Sequence, residues 1–452
     1  MLRVEEGSLE LAVQQNRTAF FDPHRRAALP SIKARIASLV QELEARELEV
    51  GLRTKRRGVI GHRKFAIAVE AIVSNVLVLT LLDPNRLLAV PRGHDMMSSR
   101  NEVYGSHFID ALDVLAHPSV GIIEQVEKGS KFRPGGPQST TIRLGPSSKS
   151  QLALDAALPV EAFTRVPNPS VLIMKSPKDG KGESHEVQFK ETLKTRKLSK
   201  QLIQLNEWLS AIPLKVAPDA IVRLNAESDE FIDPTRRTVR RIFNNASWTQ
   251  GGRLFGGFWE NMRRADRFEY LRIGSASHPE GEKIANVDYG QLFPRLAYLR
   301  AGTPAPSGDL YDVLGNDEAR RGVKRLFNAM LFADGELRNW PRDTSQFFND
   351  LGLRDAISAI RIQHAPIAHL FGTGIGYQLM FTESNLLMEV LFELRGIGIS
   401  ALPLHDSVLV ACSEADNTRE VLRRRLAEFL LSEEKAAVSI DYGGSKPNYA
   451  RT

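Results

Sequence analysis

Two aspartates, each at the end of an apolar run, are the side chains of this sequence best suited to metal-dependent chemistry. Asp288 lies in the segment NVDYGQLF and Asp406 in the segment ALPLHDSVLV. Two divalent cations about 3.5–4 Å apart can clamp an attacking hydroxyl and a leaving pyrophosphate, and they need carboxylates that converge from separate strands. The pair therefore predicts a nucleotidyl-transfer site with two Mg²⁺ ions, or Mn²⁺ in their place, bound by Asp288 and Asp406.

The residues around Asp288 predict how its carboxylate is presented. A strand-like KIANV precedes it, and leucines at 292, 296 and 299 follow with helical spacing. An acidic residue between a strand and a helix exposes its carboxylate and a neighbouring backbone carbonyl, here that of Tyr289, to a metal. The alternative is an aspartate that caps the N-terminus of a buried helix.

A basic helix between the two aspartates supplies candidate phosphate ligands. Arg320, Lys324, Asn328 and Phe332 recur at every fourth residue, so at about 100° per residue they fall within one arc of the helix. A triphosphate along this arc would meet two cations and then a ring, and the cations would neutralise charge that develops on the leaving pyrophosphate. The alternative is a surface helix whose cations are solvated.

In this order the segments resemble motifs A, B and C of family A DNA polymerases and of the phage-type single-subunit RNA polymerases. DYGQLFPRLAYL is similar to motif A, ARRGVKRLFNAMLF to motif B and LHDSVLV to motif C. GGRLFGG, which contains Arg253, is similar to the segment that precedes motif A, and the whole resemblance spans about residues 245–415. It implies an α+β polymerase right hand, with an antiparallel palm sheet and helical fingers and thumb.

The resemblance also implies roles and partners. The catalytic residues are expected to be Asp288, Asp406 and Lys324, with both aspartates and the Tyr289 carbonyl on the metals. The expected substrates are a DNA primer-template and deoxynucleoside triphosphates, and replication or mobile-element proteins are further candidate partners. The residues expected to bind the incoming nucleotide are Arg320, Lys324, Asn328, Phe332, Phe293 and Tyr289.

Motif C has the pattern of a tight β-hairpin with His405 and Asp406 at its turn. A buried hairpin with polar groups at its apex needs a reason for the desolvation it imposes. Metal coordination supplies that reason for Asp406. His405 is expected to hydrogen-bond in support of the site or to contact the primer end, and Arg253 is a second candidate contact to nucleic acid.

Two departures from the family pattern bear on the choice of sugar. DNA polymerases of family A usually carry glutamates where this chain has Phe293 and Ser407. A ring at Phe293 would collide with a ribose 2′-hydroxyl, and Phe332 lacks a phenol that could hydrogen-bond to one, so we expect a DNA polymerase. Phe293 could instead face the core. The His405–Asp406–Ser407 turn favours an RNA polymerase or primase, and a catalytically inactive DNA-binding replication or regulatory protein is a third alternative.

The N-terminal half predicts further domains. We expect a helical basic region over 1–64, a winged-helix-like DNA-binding domain over 65–150, and a linker with a thumb-like helical region over 151–245. The family A-like palm follows over 246–452, with fingers at about 305–360. The winged-helix prediction rests on two helices followed by a hairpin with a basic tip; a purely structural helical subdomain is the alternative. Arg56 and Arg57 are expected to contact phosphate, or to lie on a solvated helix face.

Composition sets broader bounds on this chain of 452 residues. A formal charge of +6 and a pI near 9.3 fit a phosphate-rich partner. The single cysteine, Cys412, excludes an intrachain disulfide. The apolar run at 66–82 is interrupted by polar residues, which favours a buried helix over a membrane span. The N-terminus lacks a signal-peptide pattern, so we expect a cytoplasmic protein. Acidic residues suited to a proofreading nuclease do not cluster before the palm.

Overall fold

The computed structural model describes residues 17–93, 101–130, 138–148, 152, 158–168, 170–180, 182–349, 351–430 and 436–444. The chain divides into two compact units, each assembled from two stretches of sequence. Unit 1 comprises Met1–Pro169 and Ala217–Arg236, and unit 2 comprises Ser170–Val216 and Arg237–Thr452. Both units contain helices and strands, so the fold belongs to the predicted α+β class.

The elements are numbered here in chain order. The strands of the described residues are β1 (Thr18–Phe20), β2 (Arg25–Ala27), β3 (Leu87–Val90), β4 (Ile123–Glu127), β5 (Thr140–Leu144), β6 (Phe163–Arg165), β7 (Leu172–Met174), β8 (Leu214–Val216), β9 (Arg240–Phe243), β10 (Gly251–Phe255), β11 (Leu271–Ile273), β12 (Ile284–Tyr289), β13 (Ala401–Leu404), β14 (Ser407–Ala411) and β15 (Val438–Asp441). The α-helices of the same residues are α1 (Pro30–Glu49), α2 (Val59–Leu82), α3 (Ser106–Ala116), α4 (Leu193–Ala211), α5 (Pro218–Glu227), α6 (Arg264–Tyr270), α7 (Leu292–Arg300), α8 (Asp317–Phe332), α9 (Leu353–Gln363), α10 (Gly376–Gly396) and α11 (Ala415–Leu430).

Unit 1 is built around the long apolar helix α2. From Phe65 to Leu82 most of its residues are buried, because α1, α3, β2 and β5 of the same unit pack against it. By length and composition, α2 is the one helix of the described residues that could cross a membrane, yet 72% of its most apolar window is buried inside the fold. A helix that is apolar all round occupies such an interior position in a globular protein, as predicted for the run at 66–82.

A four-stranded sheet in the order β1, β3, β5, β4 completes this unit. The pair β1 and β3 is parallel, whereas β5 is antiparallel to both β3 and β4. Helix α3 and the hairpin of β4 and β5 occur in the predicted order, while the basic hairpin tip at 131–137 lies outside the described residues. On α3, Asp110 pairs with Arg53 and Arg57 at 3.1 Å each, so its carboxylate is engaged within unit 1.

The two units divide the chain differently from the four predicted segments. Segments 1–64 and 65–150 belong to one unit, in which α1 packs against α2. Segment 151–245 is shared, because α4 belongs to unit 2 and α5 to unit 1. Segment 246–452 lies wholly in unit 2. The thumb-like region expected over 151–245 is therefore not one compact body.

The main sheet of unit 2 is antiparallel throughout, in the order β13, β14, β12, β15. Every residue of β13 and β14 is buried, which explains why both strands are apolar on each face. Helices α10 and α11 pack against this sheet. The register of β12 with β14 sets Asp288 opposite Ser407, so it brings Asp288 to the end of the hairpin where Asp406 lies.

A smaller sheet of unit 2 runs in the order β10, β9, β7, and β10 packs closely on α10. The register of β10 shifts between Gly251 and Arg253, and Gly252 adopts φ +83°. A Cβ at Gly252 would come within 2.9 Å of the Ser384 hydroxyl oxygen on α10. Glycine permits both this left-handed conformation and the close approach, and the approach delivers Arg253 to the face of α10.

Candidate active site

The structure brings the two aspartates of the predicted site together. Asp288 is the penultimate residue of β12, and Asp406 is the second residue of the turn that joins β13 to β14. Burial and the Asp406 carboxylate raise the pKa of Asp288 well above its usual range, and Lys324 acts in the opposite direction. The N-cap alternative is wrong, since α7 begins after Gln291, which has φ +56°. The side chain of Asp288 therefore does not cap α7.

The residues present fit a divalent cation. The Oδ1 atom of Asp288 is buried and has no hydrogen-bond partner among the described residues, although a buried polar atom usually has one. Asp406 and Glu383 add negative charge around it. Mg²⁺ and Mn²⁺ prefer such carboxylate oxygens. The phenol of Tyr289, at the end of β12, is buried and its pKa is raised by that burial; the metal contact of its backbone carbonyl stays a prediction.

The turn of the hairpin holds His405 on one side of Asp406. His405 adopts φ +57°, a conformation that two-residue hairpin turns require at their first position and that histidine tolerates better than most residues. Its exposed ring meets the Phe255 ring edge-on, with 6.1 Å between ring centroids. Partial burial lowers the pKa of His405, and Arg253 lowers it further, although Asp406 opposes them. The imidazole lies at the edge of the site, beside Asp406 in the turn.

Glu383 of α10 is a site residue that the sequence reasoning missed. Arg253 donates hydrogen bonds from Nε and Nη2 to its two carboxylate oxygens, at 2.8 and 2.9 Å. Burial raises the pKa of Glu383 to about 7, against the hydrogen bond from Arg253, and Asp406 contributes to the rise. The signal was available: Leu379, Glu383, Leu387 and Leu391 share the helical spacing of buried residues, and a glutamate on a core stripe demands a partner.

Helix α8 turns one face to the core and another to the site. Asn316 caps its N-terminus by accepting a hydrogen bond from the backbone N–H of Ala319 at 2.7 Å. Arg320 is ion-paired with Asp309, whereas Lys324 is exposed and lies 6.0 Å from the Tyr311 ring centroid. Of the two predicted phosphate ligands, Arg320 thus has a carboxylate partner, and a phosphate must compete with Asp309 for it.

Further along the same arc, α8 presents an amide and a ring. The Oδ1 atom of Asn328 is buried without a hydrogen-bond partner among the described residues. The ring of Phe332 packs on Phe293 and Tyr377, at 5.6 and 5.1 Å between centroids. Phe293 is 7% exposed and also lies under the Arg253 guanidinium, 5.7 Å from its ring centroid. The two predicted sugar-contacting rings are thus in contact with each other, and Phe293 is largely packed.

Arg56 and Arg57, the two candidate DNA-binding arginines of unit 1, differ in the exposure of their side chains. Arg57 is buried: it is ion-paired with Glu47, lies 3.1 Å from Asp110, and its guanidinium stacks 3.7 Å from the Phe65 ring centroid. A phosphate at Arg57 would have to compete with these partners inside unit 1, and the predicted contact stays a prediction. Arg56 is exposed and stays a prediction.

Comparison with known proteins adds little to this picture. No protein-family model and no curated protein matches the chain. Among solved structures, it is similar to the "POL domain of Pol1 from M. smegmatis complex with DNA primer-template and dNTP", with 11% sequence identity and a TM-score of 0.33. That match covers 50% of this chain and 52% of the other, so it spans about half of the polymerase domain. A likeness of this size does not bear on activity.

Proposed function

We propose that the chain is a template-directed DNA polymerase that extends a primer 3′-hydroxyl with deoxynucleoside triphosphates and has no proofreading exonuclease. The observation that carries this proposal is the convergence of Asp288 and Asp406 at one end of an antiparallel sheet, with Lys324 near enough to lower the pKa of Asp288. Carboxylates from separate strands beside a cation suit in-line transfer of a nucleotidyl group.

The side chains divide the work of binding and orienting the reactants. Asp288 and Asp406 would hold Mg²⁺, which when bound supplies charge neutralisation at the reacting phosphate. Lys324 binds the triphosphate and offsets charge on the leaving pyrophosphate. Arg320 assists it, either released from Asp309 or shared with it. Asn328, whose Oδ1 lacks a partner among the described residues, accepts a hydrogen bond from the incoming nucleotide.

Primer extension by an Asp288→Asn variant tests the assignment. We expect loss of Mg²⁺-dependent extension with largely unchanged DNA binding, because the substitution removes one metal ligand and keeps the shape of the side chain. Asp441→Asn is the matched control: this carboxylate lies in β15 of the same sheet and is ion-paired with Arg264. Normal extension by Asp288→Asn, or equal loss in Asp441→Asn, would contradict the proposal.

An RNA polymerase or primase is the second candidate, favoured by the His405–Asp406–Ser407 turn. The contact between Phe293 and Phe332 supports a ring that excludes a ribose 2′-hydroxyl. We therefore expect Phe293→Ala to raise incorporation of ribonucleotides relative to deoxynucleotides. Competing extension with labelled dNTPs and rNTPs measures this ratio, and an unchanged ratio would remove Phe293 as the sugar gate.

A further inference from the structure

The first turn of α2 carries two aliphatic side chains that largely face solvent. Val59 is 88% exposed and Ile60 is 73% exposed, although most of the same helix is buried from Phe65 onwards. Single exposed aliphatic residues are ordinary on a protein surface. Two adjacent ones at the end of a helix form a protruding patch, and we call Val59 and Ile60 the apolar tip.

Cations flank the apolar tip on both sides in sequence, and most of them have no acidic partner. The basic collar consists of Lys55, Arg56, Arg63 and Lys64, all of which are exposed. Three of these four side chains form no ion pair among the described residues, and the fourth, Arg63, lies 4.0 Å from Glu102. His62 lies 3.0 Å from Glu44. The first turn of α2 holds no acidic residue, so the helix itself places no negative charge beside the tip.

Helical geometry places part of the collar directly behind the tip. Arg63 follows Val59 by four residues and Lys64 follows Ile60 by four, so each pair shares a face of the helix, about 6 Å apart along its axis. Side chains of a helix lean towards its N-terminus. A long cationic side chain can therefore lay its stem along the apolar residue ahead of it while its charge stays in a polar layer. The aliphatic groups lead and the charges follow.

A membrane surface that contains anionic lipids matches both parts of this arrangement. Its headgroups attract lysine and arginine, and the boundary between headgroups and acyl chains accepts apolar side chains about 5–10 Å deep. The phosphates of duplex DNA would account for the collar but leave the tip in water. Stacking on single-stranded bases uses aromatic side chains, which residues 51–64 lack. A second copy of this chain would bring like charges together.

We propose that the apolar tip and the basic collar bind the surface of a membrane that contains anionic lipids, with Val59 and Ile60 in the boundary between headgroups and acyl chains. The contact is peripheral, because the apolar body of α2 is buried inside unit 1 and does not cross the bilayer. The same burial anchors the first turn, so the tip is presented on a rigid element. The proposal does not depend on the polymerase function proposed above.

Co-sedimentation of the full chain with lipid vesicles tests the proposal. One set of vesicles is phosphatidylcholine alone, and the other contains phosphatidylglycerol as about a third of its lipid. We expect binding to the second set only, and weaker binding as salt is raised, because salt screens the charges. Lys64→Ala should weaken binding about fivefold, the contribution of one cation near an anionic surface. The double variant Val59→Ser, Ile60→Ser should weaken it by about 10-fold or more, since less apolar surface leaves water.

A matched control and two further measurements separate membrane contact from folding and from DNA binding. Ile362 is a 76% exposed aliphatic residue on α9 of unit 2, so Ile362→Ser should bind the vesicles as wild type does. The double tip variant should keep the melting temperature of wild type, because both side chains are exposed. Its affinity for a DNA duplex should also be unchanged.

The inference fails if the full chain does not sediment with phosphatidylglycerol vesicles, if the double tip variant binds them as wild type does, or if Ile362→Ser loses as much affinity. A loss of duplex affinity in the double tip variant would instead assign this surface to DNA. A lower melting temperature of that variant would show that the tip packs against another part of the protein, and would overturn the inference as well.

Discussion

We expect Mg²⁺ to stabilise unit 2 through the proposed site, and we expect the substitution Asp288→Asn to remove most of that stabilisation. Asp288, Asp406 and Glu383 lie close enough for each of the latter two to raise the pKa of Asp288, so the ionised cluster repels itself until a cation binds. Asp288→Asn removes one of these charges. In the absence of Mg²⁺ we expect this variant to be at least as stable as wild type, because it relieves the repulsion.

The size of the effect follows from linkage. At a Mg²⁺ concentration of about 100 times Kd, binding to the folded state stabilises it by about 2.7 kcal/mol. For a unit of this size, Tm moves about 2–4 °C for each kcal/mol, so the expected shift is about 5–11 °C for wild type. Since fewer carboxylate ligands mean weaker binding, Asp288→Asn should shift by no more than about 2 °C.

The pH dependence of this shift has a definite sign. Burial raises the pKa of Glu383 from 4.5 to about 7, so the folded state binds this proton more tightly than the unfolded chain. The contribution of this group to the stability of the metal-free protein is therefore largest below pH 4.5 and falls by roughly 3 kcal/mol as pH rises through 7. Mg²⁺ favours the ionised cluster, so its stabilising effect should be larger at pH 8 than at pH 6.

Differential scanning calorimetry of the full chain, at both pH values with and without Mg²⁺, measures these shifts. Asp441→Asn, in the same sheet but paired with Arg264, should respond to Mg²⁺ as wild type does. An undiminished Mg²⁺ shift in Asp288→Asn, or a shift independent of pH, would refute the reasoning that these carboxylates form a cation site.

Three further substitutions test individual side chains. Lys324→Ala should raise the KM for dNTP about 10- to 100-fold, since a charge-assisted hydrogen bond contributes about 1.5–3 kcal/mol, as measured by steady-state extension. Arg57→Ala leaves Glu47 buried without its partner and should destabilise unit 1 by about 3–5 kcal/mol in urea unfolding. Burial alone would raise the pKa of Asp22, but Arg165 brings it below its usual range, so Asp22→Asn should destabilise unit 1 at pH 7 and progressively less as pH falls below 3.8.

Each of these has a matched control or a contrary outcome. Arg321→Ala, on the same helix as Lys324 but stacked on Phe347, should keep the KM for dNTP. Arg56 is exposed, so Arg56→Ala should change stability by no more than about 0.5 kcal/mol. Equal effects of the substitutions at 56 and 57 would contradict a buried ion pair between Arg57 and Glu47. For Asp22→Asn, a loss of stability that persists unchanged at pH 2 would show that its charge is not the cause.

The strands around the site could be predicted because their signals are local. The segment ALPLHDSVLV has two largely apolar runs separated by His405 and Asp406. The structure has a hairpin with these two residues at its turn. A two-residue turn fixes the register of the strands that flank it. The pairing of β12 with β14, which sets Asp288 opposite Ser407, needed a further inference, because the strands are separated by helices α7 to α10.

Pairing between distant side chains could not be predicted in the same way. Arg253 and Glu383 meet only because β10 approaches α10 at Gly252. The residue spacing around either one does not indicate the other as its partner. The discontinuous composition of unit 1, which takes in 217–236, has the same origin. Local patterns specify elements, whereas the partner of a charge depends on how those elements pack.

The cations of this chain show why a basic run is weak evidence for a phosphate-binding surface. Arg56 and Arg57 are adjacent in sequence, yet one is exposed and the other is held by Glu47. On α8, Lys324 is exposed whereas Arg320 is paired with Asp309. When a paired arginine binds phosphate, it loses the contact with its first partner. The net gain in free energy is therefore small, above all when that partner is buried. Lys324 and Arg56 are therefore the residues at which we expect phosphate contact first, because both are exposed.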